Sequence, residues 1–179
     1  EGGMVAVLGS TVETIEKILR DNEQNLSVQI ANDNSEGQIV VSGKINDLDK
    51  LISILKENNI KSIKLPVSAP FHCSLMNKAT NIMSDELNKL NFIEGENKLI
   101  SNVTANEISN TAELKELLVK QIENRVRWRE SVINMIDSDV NHFVEIGPGK
   151  VLSGLVKRIS KEVKIDTINN RGDIEGLKI

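Results

Sequence analysis

The spacing of apolar residues switches several times between every second position and every third or fourth, and these switches predict the elements. Met4-Val5-Ala6-Val7-Leu8 reads as a strand. Thr11 then precedes Val12, Ile15, Ile18 and Leu19, which share one helical face, with Thr11 and Thr14 available as caps. Residues 26–31 alternate as a strand, 32–37 have the composition of a tight turn, and 38–42 resume as a strand, so the three make a hairpin. A helix carried by Leu48, Leu51, Ile52 and Leu55 is expected over 46–58, and 60–65 closes as a strand. The order βαββαβ is that of the ferredoxin-like split fold.

The remainder is more helical. Leu75, Ala79, Ile82, Met83 and Leu87 fall on one face of a long amphipathic helix over 74–90. A strand is expected over 98–104, helices over 111–122 and 126–136, a strand over 140–146, a sharp turn at Gly147-Pro148-Gly149, a helix over 151–159 and a last strand over 163–168. Strands alternating with helices argue for an α/β arrangement with parallel strands. Three strands are few for a freestanding sheet, and Glu1-Gly2-Gly3 leads directly into a strand. The sequence is therefore expected to be the later part of a longer protein.

At 179 residues and 39% hydrophobic, the chain can bury a substantial core. A net charge of -4, with both signs mixed along the chain, provides no basic stripe for a phosphate backbone, so nucleic acid is not an expected partner. The apolar runs stop at strand length, short of the about 18 residues a membrane span needs, so no membrane association is expected. One cysteine, Cys73, cannot form an internal disulfide, and no signal peptide opens the sequence, which points to a reducing cytoplasm.

Two histidines could carry chemistry. His72 stands between the last strand of the small unit and a long helix, where a scaffold fixes loop side chains while leaving them exposed; by position alone it reads equally well as catalytic or as a solvent-facing or capping side chain. His142 lies inside an apolar strand and reads as a packed, hydrogen-bonded histidine. Cys73 cannot easily be served by an adjacent base, because neighbouring side chains diverge, and it reads as a packing residue. Two distant histidines and one cysteine do not make a metal site. Gly147-Pro148-Gly149-Lys150 lacks the upstream glycine and the hydroxyl of a nucleotide phosphate loop, although the free N–H groups of its turn could face an anion. No G-x-S-x-G elbow occurs.

Taken together, several stretches resemble the malonyl-CoA:acyl-carrier-protein transacylase family and the related acyltransferase domains of polyketide synthases. They are Gly3-Met4; Asn32-Asp33-Asn34-Ser35 with Gly37-Gln38-Ile39-Val40-Val41-Ser42-Gly43; Val67-Ser68-Ala69-Pro70-Phe71-His72-Cys73-Ser74-Leu75-Met76; Ser101-Asn102-Val103; Gln121 ahead of Val126-Arg127-Trp128; and Glu145-Ile146-Gly147-Pro148-Gly149-Lys150-Val151-Leu152. They run in family order to about residue 170.

The resemblance implies a ferredoxin-like subdomain over 1–66 and, over 67–179, the C-terminal part of an α/β-hydrolase-like acyltransferase domain. It implies transfer of malonyl from CoA to the thiol of acyl carrier protein through a serine ester. His72 would be the general base, and Gln121 would orient it through its backbone carbonyl in place of a triad carboxylate. Phe71 would exclude an α-methyl group, and Asn32 and Asn102 would border the cleft. Malonyl-CoA and acyl carrier protein are the implied partners, with no cofactor and a monomeric state; Lys150, Lys157 and Arg158 are candidates to meet the acidic carrier. The elbow serine, the malonyl-gripping arginine and the oxyanion-hole donors belong to family sequence upstream of residue 1, so this chain alone is expected to be inactive. Arg125 stands where the family commonly has proline. The alternative is a non-catalytic module with a ferredoxin-like subdomain that binds small molecules or proteins.

Overall fold

Both faces of the first strand are apolar, and both are covered. In β1 (Gly2–Leu8) the side chains of Val5 and Val7 are wholly buried on one face, and Met4 and Ala6 are buried on the other. Around it the computed structural model, which describes residues 1–177, places α1 (Val12–Asp21), β2 (Val28–Ser35), β3 (Gln38–Lys44), α2 (Ile45–Glu57) and β4 (Lys61–Lys64). The four strands form an antiparallel sheet in the order β2-β3-β1-β4. This is the expected βαββαβ unit. Val5, Val7, Ile39 and Val41 of the sheet meet Ile15 of α1 and Leu48, Leu51 and Leu55 of α2 in one core. Thr11 caps α1 by accepting the Thr14 N–H at 3.3 Å.

Beyond β4 a 3-10 turn, Ser74–Met76, leads into α3 (Asn77–Asn88), followed by α4 (Thr111–Lys120) and α5 (Trp128–Asp137). The chain divides into two compact units, Glu1–Ser131 and Val132–Ile179, with the antiparallel sheet inside the first. The second unit contains β5 (His142–Ile146), α6 (Val151–Ile159), β6 (Lys164–Ile168) and α7 (Arg171–Gly176). Its two strands pair in parallel from His142/Lys164 to Ile146/Ile168. Residues 178 and 179, the end of the expected 67–179 portion, lie outside the described residues.

Two expectations are corrected. The turn expected over 32–37 is shorter, because β2 continues to Ser35 with two register shifts, and only Glu36 and Gly37 turn. The strand expected over 98–104 is a tight turn instead. The Ser101 hydroxyl accepts the N–H groups of Val103 and Thr104 at 3.1 and 3.4 Å, the Ser101 carbonyl accepts the Ala105 N–H, and Ala105 has φ 60°. The helix α7 was not anticipated, although its signal stands in the sequence: Asn170 and Asp173 form a capping box.

Candidate active site

The segment that carries His72 is built onto the start of β1. Pro70 packs so close to Gly2 that a Cβ on Gly2 would lie 2.4 Å from the proline ring, so the residue there must be glycine. Next to the histidine, Cys73 is buried; its thiol donates to the Pro70 carbonyl at 3.2 Å, and the Ser42 hydroxyl of β3 lies 3.5 Å from its sulfur. The Ser74 N–H donates to the Gln29 side chain of β2 at 2.7 Å. His72 is thus held from both sides by residues that the small sheet fixes.

Its own conformation is unusual. His72 has φ 59°, the left-handed region that a non-glycine residue adopts only when its surroundings impose it. The surroundings here are the C-terminal end of α4, where the last carbonyls have no partner within the helix. The His72 N–H donates to the Ile122 carbonyl at 3.2 Å, and the ring Nδ1 lies 2.8 Å from the Gln121 carbonyl. A carbonyl can only accept, so Nδ1 carries a proton, and in the neutral ring it is Nε2 that holds the lone pair. A histidine held in this way can take a proton from a hydroxyl or thiol at Nε2, with no carboxylate behind it.

The structure joins some of the expected residues and leaves others apart. His72, Gln121 and Asn102 form a connected set, because Asn102 Nδ2 donates to Gln121 Oε1 at 3.3 Å. Asn32 sits on β2 and is bridged to Val126, and Phe71 is 44% exposed; among the described residues no hydrogen bond joins either of them to His72. Arg125 forms ion pairs with Glu16 of α1 at 3.1 Å and with Glu130 at 3.7 Å.

Sequence reading missed the pair Asp33–Arg129. Asp33 is 1% exposed, and both its carboxylate oxygens accept from Arg129 Nε, at 3.1 and 3.0 Å, while Arg129 Nη2 lies 2.9 Å from one of them. The hydrogen bond to Asp33 raises the affinity of Arg129 for its proton above the ordinary value, against the opposing effect of burial. The only sequence signal was an acidic residue in a stretch that otherwise read as a turn.

In the second unit the Gly147-Pro148-Gly149 turn does not offer its helix N-terminus to an anion. The Glu145 carboxylate already accepts the N–H groups of Leu152 and Ser153 at 3.1 and 2.7 Å. Gly147 and Gly149, with φ 138° and 98°, supply the backbone that makes the turn possible. His142 is half-buried on β5, its Nε2 2.8 Å from Asp166 Oδ2 of β6. Among the described residues no group of three or more His, Cys, Asp or Glu is arranged to hold a metal ion, and no helix is long and apolar enough to cross a membrane.

Residues 1–171 match the acyl transferase domain family, and the chain belongs to that family. It is 38% identical over 177 residues to the malonyl CoA-acyl carrier protein transacylase of Bacillus subtilis, covering 98% of this chain and 56% of that protein. The solved structure of the Clostridium perfringens malonyl CoA-acyl carrier protein transacylase is 40% identical and superposes with a TM-score of 0.93, over 98% of this chain and 55% of that one. A malonyl-transacylase in complex with a type II PKS acyl-carrier protein is 30% identical, with a TM-score of 0.91 over 97% of this chain and 57% of that one. The chain spans about half the length of the relatives it matches.

Proposed function

We propose that this chain is the histidine-bearing portion of a malonyl-CoA:acyl-carrier-protein transacylase, with residues 1–66 as its small subdomain and 67–179 as part of its acyltransferase domain. The observation that carries the reading is the His72 ring, its Nδ1 fixed 2.8 Å from the Gln121 carbonyl and its Nε2 left to act as a base. The identity with transacylases across 98% of the chain supports it.

In this reading the nucleophile is a serine outside this chain. Nε2 of His72 takes the serine proton as the serine oxygen attacks the malonyl thioester carbon; the C–S bond breaks, and the CoA thiolate leaves with the proton that Nε2 returns. Nε2 then takes the proton of the carrier thiol, whose sulfur attacks the malonyl ester, and the serine oxygen recovers the proton as it leaves. The Gln121 carbonyl holds the imidazolium formed in each half. Phe71 restricts the pocket to malonyl, and Asn32 and Asn102 border it. The exposed Lys150, Lys157 and Arg158 face the acidic carrier protein. The enzyme works as a monomer in the cytoplasm.

The test uses the full-length protein. Incubation with malonyl-CoA should add the mass of one malonyl group, and His72→Ala should slow adduct formation by about 10²–10⁴-fold. A full-length protein that forms no adduct, or a His72→Ala variant that acylates at the unaltered rate, would overturn the reading.

A further inference from the structure

We propose that Asn102 is a positioning residue for His72, acting through the side chain of Gln121; the inference rests on His72 being the general base. Gln121 and Ile122 both hold His72 by their backbone carbonyls, and both lie just past the last turn of α4, where a helix end frays most readily. The side chain of Gln121 is therefore free to serve as a tether. It is used as one: Asn102 Nδ2 donates to Gln121 Oε1 at 3.3 Å in a half-buried setting.

Asn102 is itself anchored. Its carbonyl accepts the Arg127 N–H at 2.8 Å, and the neighbouring Val126 is bonded to β2 in both directions, donating to the Ala31 carbonyl at 2.8 Å and accepting the Asp33 N–H at 2.9 Å. The turn closed by Ser101 holds the other side of Asn102. A continuous set of hydrogen bonds thus runs from β2 through Val126, Arg127, Asn102 and Gln121 to the histidine ring. Because His72 sits in a left-handed conformation that its surroundings must impose, loosening the Gln121–Ile122 turn should release both the ring and the backbone of His72. Asn102 then contributes to orientation, and the substrate need not touch its amide nitrogen.

The full-length protein provides the test. Asn102→Ala should lower kcat for malonyl transfer about tenfold, with KM for malonyl-CoA within about twofold, as expected for a displaced base. Gln121→Ala keeps the carbonyl and loses the tether, so it should cost the same, and the double variant should be no worse than either single one, because one interaction is lost in all three. Imidazole ¹⁵N spectra should show His72 protonated at Nδ1 in the parent protein and a mixture of tautomers in both single variants. Should Asn102→Ala not fold, Asn102→Ser, too short to reach Gln121, should behave as described.

The proposal is overturned if the two substitutions multiply to about a hundredfold, if KM rises while kcat holds, or if the His72 tautomer does not change. A parent protein without transferase activity would sink the general-base reading alone, since the ring tautomer is read independently of turnover.

Discussion

The antiparallel sheet of the first unit and the parallel strand pair of the second solve the same packing problem differently. The sheet and the two helices on it share a fully buried centre: Val5, Val7, Val41, Ile15, Leu51 and Leu55 are all at 0% exposure. The strand pair has no such centre. Among its described residues only Leu155 and Val156 of α6 are well buried apart from Val132 of α5, while Ile146 is 78% and Val151 72% exposed. Within this chain the first region is held by apolar burial, and the contacts the second makes within itself are largely polar: Glu145 on the N-terminus of α6, His142 on Asp166 across the strands, and the Asn170/Asp173 box on α7. Burial is non-directional and strong, whereas exposed polar contacts are weak and respond to solution conditions.

The largest test of that contrast is a pair of truncations. Leu51→Ala removes a side chain with no exposure from the sheet core, and it should destabilise by about 2–5 kcal/mol. Ile146→Ala, at a site 78% exposed in this chain, should change the stability of the 179-residue chain by no more than about 0.5 kcal/mol. Denaturant melts of the two variants, monitored separately in each unit by amide signals, would settle it. Equal losses would show that the second unit depends on apolar burial after all.

A smaller effect is expected at the ion pair that fastens β2. Arg129→Leu leaves the Asp33 carboxylate buried without its partner, and the loss should be about 3 kcal/mol, at the low end for buried pairs because Arg129 is 31% exposed. Asp33→Asn keeps a hydrogen-bonding group beside Arg129 and should cost less. If the two variants melt together with the parent, the pair contributes nothing to the sheet.

That pair also explains where sequence reading succeeded and failed. The βαββαβ unit was legible because its core residues follow strict periods, as with Val5 and Val7 in β1 and Leu48, Leu51 and Leu55 in α2. The extension of β2 through Asn32, Asp33 and Asn34 was not, because its cause lies 96 residues away at Arg129. Local preference argued for a turn, and a tertiary contact overrode it. At 98–104 the reverse occurred: Leu99, Ile100 and Val103 resembled a strand, but the Ser101 hydroxyl offered its neighbours' N–H groups a local partner and closed a turn. His72 and Gln121 are 49 positions apart, and only the resemblance to known transacylases paired them; no periodicity could have done so.

The smallest effect concerns acid. Asp166 of β6 reaches His142 of β5 at 2.8 Å and also pairs with Lys164 on its own strand at 3.3 Å, and first His142, then Lys164, hold its carboxyl below the ordinary carboxylate value. A carboxyl with a depressed value in the folded state stabilises that state above its unfolded value, and the contribution disappears as pH falls through the folded one. The β5–β6 amides should therefore exchange faster as pH is lowered below the ordinary carboxyl value of 3.8, after correction for intrinsic exchange, while those of β1 and β3, whose core holds no titrating group, should not follow the same curve. Asp166→Asn should flatten the strand-pair profile. A profile that keeps its slope in Asp166→Asn would place the acid sensitivity on another group, Glu145 on the α6 N-terminus being the first to replace, and would break the link between the cross-strand contact and the polar stabilisation of this unit.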